Sequence, residues 1–439
     1  IPMILQNAIT NLVSFLDNIM VGQLGTEQMS GVAIVNQLIF VYNLAIFGAV
    51  SAASIFGAQY FGKGNHKGHM YSFRFKLYAT LLVTGGAILL FLTKGSALIS
   101  LYLTDTVGNG ATDLALQYGL EYLAIMMVGL IPFAVNQSYA TNIKETGQTF
   151  IPMLASFVAV GTNAILDYLM IFGIGPFPEL GVQGAALATV IARYIEALIV
   201  VIWAHIHRGK NRYLEGAYTG FGIPLAELKA ILIKGFPLMM NEVLWAAGMT
   251  TVTQCYSVRG LDVVAGLNIA STITNLFNIV YLQLGSCISI VVGQYLGAGK
   301  LEDAKDADNK MIVFSVFCCV IMAALMFVVG GFFPGIYNTT EEIRELATSF
   351  IAVSAIIMPF CAFSHASYFT LRSGGKTVVT FLFDSVFTWV IVVPAAYLLA
   401  HFTGLGIVSI YFLVQGTELI KVIIGYLMVK SNVWVVQMV

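Results

Sequence analysis

Charge is what this sequence has least of. Only 10% of its 439 residues are Asp, Glu, Lys or Arg, against roughly 25% in a soluble domain, too few to cover a globular surface. The 21 cations and 22 anions leave a formal net charge of −1, and without a basic excess to neutralise phosphates a nucleic-acid partner is excluded. Cysteine is sparse as well. Cys255, Cys287, Cys318, Cys319 and Cys361 lie inside apolar stretches with no CxxC spacing, which argues for small buried hydrophobes over disulfides or a zinc site. There is no HExxH and no GxSxG, so neither a zinc protease nor a nucleophile elbow is written here. Gly57 to Lys63 has the spacing of a P-loop, but Gly64 stands where Ser or Thr would bind magnesium. The segment also follows an apolar helix instead of a strand, so a tight turn is expected. The chain is not read as an enzyme or an ATP-driven motor, and no cofactor is expected.

What is present is apolar sequence: 58% of residues are hydrophobic and the mean hydropathy is +0.86. Cut at its charges, the chain falls into about a dozen stretches, each long enough at 1.5 Å per residue to cross a hydrocarbon core of about 30 Å. A β-barrel would alternate polar and apolar residues, which this chain does not. The reading is an all-α polytopic membrane protein. Its helices are expected over 1–24, 30–60, 77–103, 114–142, 150–174, 182–206, 235–258, 263–296, 311–336, 346–371, 377–400 and 406–429. Sixteen of the 21 cations fall in or beside the even-numbered connectors and the carboxyl end. By the positive-inside rule both termini are cytoplasmic, in a multi-pass protein of the plasma (inner) membrane.

The chain also repeats itself. Slid by 235 residues without a gap, it aligns Pro2 with Pro237, Gly25 with Gly260, Gly31 with Gly266, Gln59 with Gln294, Tyr60 with Tyr295, Gly62 with Gly297 and Gly64 with Gly299, among twelve identities over 63 positions. A duplication of six helices follows, and because six is even the halves form parallel repeats about an axis along the membrane normal. The expected organisation is an amino-terminal lobe over 1–206, a cytoplasmic linker over 207–234 and a carboxyl-terminal lobe over 235–439, around a central cavity.

Ionisable groups at membrane depth are expensive unless they face water or partners, so they are candidates for function. Asn7, Asn11, Ser14 and Asp17 make one polar stripe along the first helix. Asp167 stands in the fifth, with Asn163 one turn before it. Two acids flanked by amide oxygens suit a Na⁺ ion, which prefers hard oxygen ligands. They equally suit a proton shared between acids raised by burial and mutual repulsion. In the second half Glu242 sits one turn into its helix, and Asn268, Ser271, Thr272, Asn275 and Asn278 share a face of the next, as a cavity wall would. Asp384 is a further candidate acid, close in sequence to Arg372 and Lys376 and so equally readable as half of a structural ion pair. Arg193 is the main cation within the membrane on this reading.

These segments resemble the multidrug and toxic compound extrusion (MATE) family, within the group of polysaccharide and lipid flippases. The resemblance is carried by Leu16-Asp17-Asn18-Ile19-Met20-Val21-Gly22-Gln23-Leu24-Gly25, Gly57-Ala58-Gln59-Tyr60-Phe61-Gly62, Asn163-Ala164-Ile165-Leu166-Asp167-Tyr168, Gly235-Phe236-Pro237, Val292 to Gly299 and Leu371-Arg372-Ser373-Gly374-Gly375-Lys376. It implies twelve helices in two lobes and export of amphipathic, often cationic compounds in exchange for H⁺ or Na⁺, by alternating access. It also implies a cation site in the amino lobe at Asp17, Asn163 and Asp167, possible for Na⁺, with Thr189 beside it and Tyr122 and Asn136 lining the same pocket. Glu242 matches an acidic position used in the carboxyl lobe of other branches. The acid that some sodium-coupled members carry ahead of Leu371 is missing, since Pro359 to Ser364 holds none. The partners implied are small-molecule substrates and the lipid bilayer, with a monomer as the working unit. A flippase for a lipid-linked saccharide is the alternative within the same group, and the largely acidic set of embedded charges weighs against it.

Overall fold

The computed structural model describes residues 2–103, 111–220, 222–337 and 339–439, and among them there is no strand. The helices in chain order are α1 (Pro2–Gly22), α2 (Thr26–Lys63), α3 (His66–Ser100), α4 (Ala111–Val128), α5 (Leu130–Glu145), α6 (Phe150–Ile171), α7 (Val182–Ile206), α8 (Leu225–Ser257), α9 (Leu261–Gly297), α10 (Leu301–Gly330), α11 (Glu341–Ser373), α12 (Thr377–Phe402) and α13 (Ile407–Lys430). Ten of them are long and apolar enough to cross a membrane, α4 and α5 with a 44° bend between them can make one more span, and α1 adds a further helix of 21 residues. With α4 and α5 counted together, twelve helical rods result, as the hydropathy implies. Large apolar side chains such as Leu82, Leu92, Val313, Phe317 and Phe327 are exposed, which only a hydrocarbon solvent makes favourable.

Several helices begin earlier than expected. α3 starts at His66 instead of 77, α8 at Leu225 instead of 235 and α10 at Leu301 instead of 311. The cause is physical: Lys67, Arg74 and Lys305 end the apolar run but not the helix, because helix hydrogen bonds are satisfied equally well beyond the lipid. Residues 225–234, read as linker, are therefore helix.

The chain divides into two compact units, one of residues 1–57 and 66–228 and one of residues 58–65 and 229–439. In the first unit Arg74 donates to the carbonyls of Ala217, Gly222 and Gly216 at 2.8, 2.8 and 2.6 Å. It thereby fastens the chain after α7, while Tyr213 and Leu214 sink into a cluster with Phe73 and Tyr139. Burial pushes the Tyr213 hydroxyl well above its ordinary pKa.

The repeated Gln-Tyr-x-Gly-x-Gly motif is explained within the second unit, where the end of α2 crosses the end of α9. A Cβ on Gly62 would fall 1.9 Å from the Gln294 carbonyl oxygen, and one on Gly297 would fall 1.9 Å from that of Gln59. Only glycine permits so close a crossing. Two residues later Gly64 and Gly299 each turn the chain at φ +74°, the left-handed conformation that glycine adopts without steric cost. Gln59 then donates to the carbonyls of Ser373 and Val436 and accepts from the Met438 amide at 2.8 Å, pinning the segment around the buried Trp434.

Candidate functional site

In the first unit α6 packs against both α1 and α7, which sets the acids of α1 and α6 toward one another. Asp167 is fully buried, and both of its carboxylate oxygens, with Asp17 Oδ1, are buried without a hydrogen-bond partner. The two acids are within electrostatic reach of each other, and Tyr122 of both. Asn163 lies beside Asp167 and donates its amide to Thr189 Oγ1 at 3.4 Å. The Tyr122 hydroxyl, itself buried, donates to Asn36 Oδ1 at 3.3 Å. Asp17, Asn163, Asp167, Thr189 and Tyr122 are thus gathered in one unit. No Lys, Arg or His forms an ion pair with either acid among the described residues. Two carboxylates without a cation of their own hold at least one unmet charge, and a proton or a small hard cation is the chemistry that meets it.

The remaining candidates of this unit are placed differently. Asn7 is half-buried and Asn11 exposed, and each amide donates to a backbone carbonyl one turn back. Ser14 of that stripe lies outside the described side chains. Asn136 is buried with its Oδ1 unpartnered. Arg193 stacks on Phe133 at 5.1 Å and donates to the Gly129 carbonyl at 3.4 Å. Its electrostatic neighbours are Tyr122, Tyr42 and Glu196. Glu196 accepts from Ser156, whose hydroxyl accepts from Gln6 Nε2 at 2.7 Å.

The second unit is wired otherwise. Glu242, half-buried on α8, lies within electrostatic reach of Arg372 and Asp384. Asp384 pairs with Lys421 of α13 at 2.9 Å and accepts from Asn241 Nδ2 at 3.0 Å. This corrects the sequence reading twice: the ion-pair partner is Lys421 where the sequence pointed to neighbouring Lys376 and Arg372, and Arg193 is not alone as the main embedded cation, since Lys421 is 6% exposed. Asn268, Asn275, Ser271 and Thr272 are exposed and Asn278 half-buried, a polar stripe on α9 that the unit does not cover and that only water would solvate well. Sequence reasoning also missed a buried cluster at the start of α3, where Lys76 Nζ meets Glu145 Oε1 and Asn142 Oδ1, both at 2.5 Å, and His69 meets Glu145 Oε2 at 3.2 Å.

The MatE family profile matches residues 2–169 and 237–398, three quarters of the chain and both repeats. The chain belongs to the MatE family. Among curated relatives, a probable multidrug resistance protein NorM of Thermotoga maritima is 23% identical over 93% of this chain and 86% of its own. One of Halalkalibacterium halodurans is 24% identical over 90% and 84%. Among solved structures, a MATE transporter in complex with MaL6 superposes with a TM-score of 0.87 at 20% identity over 98% of this chain and 94% of its own. A transporter of Pyrococcus furiosus, described as belonging to the MOP superfamily and as having a binding pocket of reversed polarity, superposes with 0.87 at 20% over 98% and 93%. At these identities the structures establish the fold: this MatE chain is a multi-pass membrane protein of transporter architecture.

Proposed function

We propose that this MatE protein is a secondary multidrug exporter that expels amphipathic, often cationic compounds in exchange for H⁺ or Na⁺. Its relatives' designation as multidrug resistance proteins supports the substrate class. The observation that carries the reading is the set of three buried, unpartnered carboxylate oxygens of Asp17 and Asp167 on adjoining helices. An external cation held there with the help of Asn163 and Thr189 neutralises the acids, and a cationic substrate is released by competition. Driving force is not limiting, since one charge moved through 100 mV is worth about 2.3 kcal/mol, a gradient of roughly fiftyfold. The protein works by alternating access, with both termini in the cytoplasm and as a monomer. The uncovered polar face of α9 around Asn268 and Asn275, with Asn7, Asn11, Tyr122, Asn136 and Asn278, serves the substrate path.

The test is movement of a cationic dye such as ethidium in proteoliposomes, with a proton gradient and a sodium gradient imposed separately. Movement driven by one of them and lost in Asp17→Asn is the expected result and names the ion. Asp17→Asn with unchanged ion dependence removes the amino-lobe site. No movement under either gradient favours a flippase for a lipid-linked saccharide.

A further inference from the structure

The surroundings of Asp384 have the makings of a site for an organic ammonium group. Its Oδ1 receives the Lys421 ammonium at 2.9 Å and its Oδ2 the Asn241 amide at 3.0 Å. Asn241 is fixed in turn, because its Oδ1 accepts from the Ser385 amide at 3.3 Å and the Ser385 hydroxyl at 2.7 Å. The rings of Phe383 and Phe387 stand 5.5 and 5.8 Å from the Lys421 nitrogen. A carboxylate with aromatic faces around it is what stabilises an alkylammonium ion out of water. The backbone is shaped for the purpose: Leu382–Val386 and Thr388–Val392 are π-helical turns, a rare geometry that re-aims side chains and recurs at functional sites. Glu418, Glu242, His365, Tyr368 and Cys361 are the other titratable groups within electrostatic reach of the pair, with Arg372 beside Glu242 and Tyr368; the Tyr368 hydroxyl also accepts from Asn241 Nδ2 at 3.4 Å.

We infer that Asp384, Asn241, Phe383 and Phe387 form an ammonium-binding site in the carboxyl-terminal half that the chain fills with its own Lys421, closing it to cations from outside. The consequence, that the coupling ion binds in the amino-terminal half alone, rests on the exporter reading. The site itself does not.

Lys421→Ala removes a side chain whose volume and charge propylammonium restores. The experiment measures melting of the purified full chain in potassium chloride and in propylammonium chloride at equal ionic strength. In potassium chloride, Lys421→Ala is expected to melt about 5 °C or more below wild type, because a largely buried carboxylate is left without its partner. Propylammonium is expected to recover at least half of that loss, while wild type and Asp384→Asn/Lys421→Ala respond to it by less than about a fifth as much. Where Lys421→Ala does not fold, Lys421→Ser, which vacates nearly the same volume, serves: its midpoint should rise in propylammonium by more than that of wild type. An unaltered midpoint in potassium chloride, or a propylammonium effect no larger than in wild type or undiminished by Asp384→Asn, overturns the assignment. Melting does not depend on transport, so a protein that moves no dye loses the exporter reading and not this one.

Discussion

The two halves place an amide, a serine and an ionisable group on corresponding helices and then wire and charge them differently. In the amino half Gln6 of α1, Ser156 of α6 and Glu196 of α7 form a chain. In the carboxyl half Asn241 of α8, Ser385 of α12 and Lys421 of α13 stand around Asp384. Arg193 and Glu196 hold the twelfth and fifteenth places of α7, and Glu418 and Lys421 hold the same places of α13. A duplicated fold can therefore keep its amide and its serine, which fix geometry, while inverting the ionisable pair, which fixes chemistry. The result is asymmetric. The amino half holds two acids with unmet charge, and the carboxyl half has an acid whose counter-ion is built in.

The largest effect that separates the halves is expected near the start of the third helix. Lys76 and Glu145 are both at most 1% exposed, and Lys76→Met leaves the buried carboxylate with His69 but without its lysine, which costs up to about 3–5 kcal/mol. Lys76→Met/Glu145→Gln should return much of that stability in chemical denaturation. In the carboxyl half Asp308 is buried and accepts from Thr370 at 2.5 Å, and among the described residues it is in no ion pair, so Asp308→Asn should cost no more than about 1 kcal/mol. Equal losses in the two halves would show that the lysine pair is structurally unimportant.

Much of this architecture was legible in the sequence, and the remainder was hidden for definite reasons. Apolar runs and the twelve-position repeat carry the fold because hydrocarbon thickness dictates helix length. Asp17 and Asp167 stood out because a carboxylate in mid-helix has few uses. Lys421 did not, since one lysine inside an apolar run has no spacing that names a partner, and its partner is 37 residues away. Lys76 and Glu145, 69 residues apart, were hidden in the same way and looked like ordinary cytoplasmic charges. The Gln-Tyr-x-Gly-x-Gly motif was visible as a repeat. That its first glycine serves a helix crossing could not be seen, because a crossing depends on two segments at once.

A smaller effect tests the shared amides. Asn241 bonds to a carboxylate and to both the amide and the hydroxyl of Ser385, whereas Gln6 has a single neutral bond to Ser156. Hydrogen bonds to charged groups contribute about 1.5–3 kcal/mol and neutral ones about 1, so Asn241→Ala should destabilise the protein at least twice as much as Gln6→Ala. The reverse order in urea denaturation would mean that the frame, and not the charge it carries, decides stability.

The serines give the finest measure of the inversion. Ser156 donates to the carboxylate of Glu196, and Ser385 donates to the neutral amide oxygen of Asn241 at 2.7 Å. Both are small, both are at most 5% exposed, and replacement by alanine removes one hydroxyl from each without opening a cavity of any size. Packing terms nearly cancel between the two, and what remains is the difference between a charge-assisted bond and a neutral one, about 1 kcal/mol. Ser156→Ala should therefore be the more destabilising by that amount. The gap should close when Glu196→Gln is the background, because the acceptor is then an amide in both halves. A gap that persists in that background would locate the difference in the helices around the serines and not in the charge of the group that accepts from them.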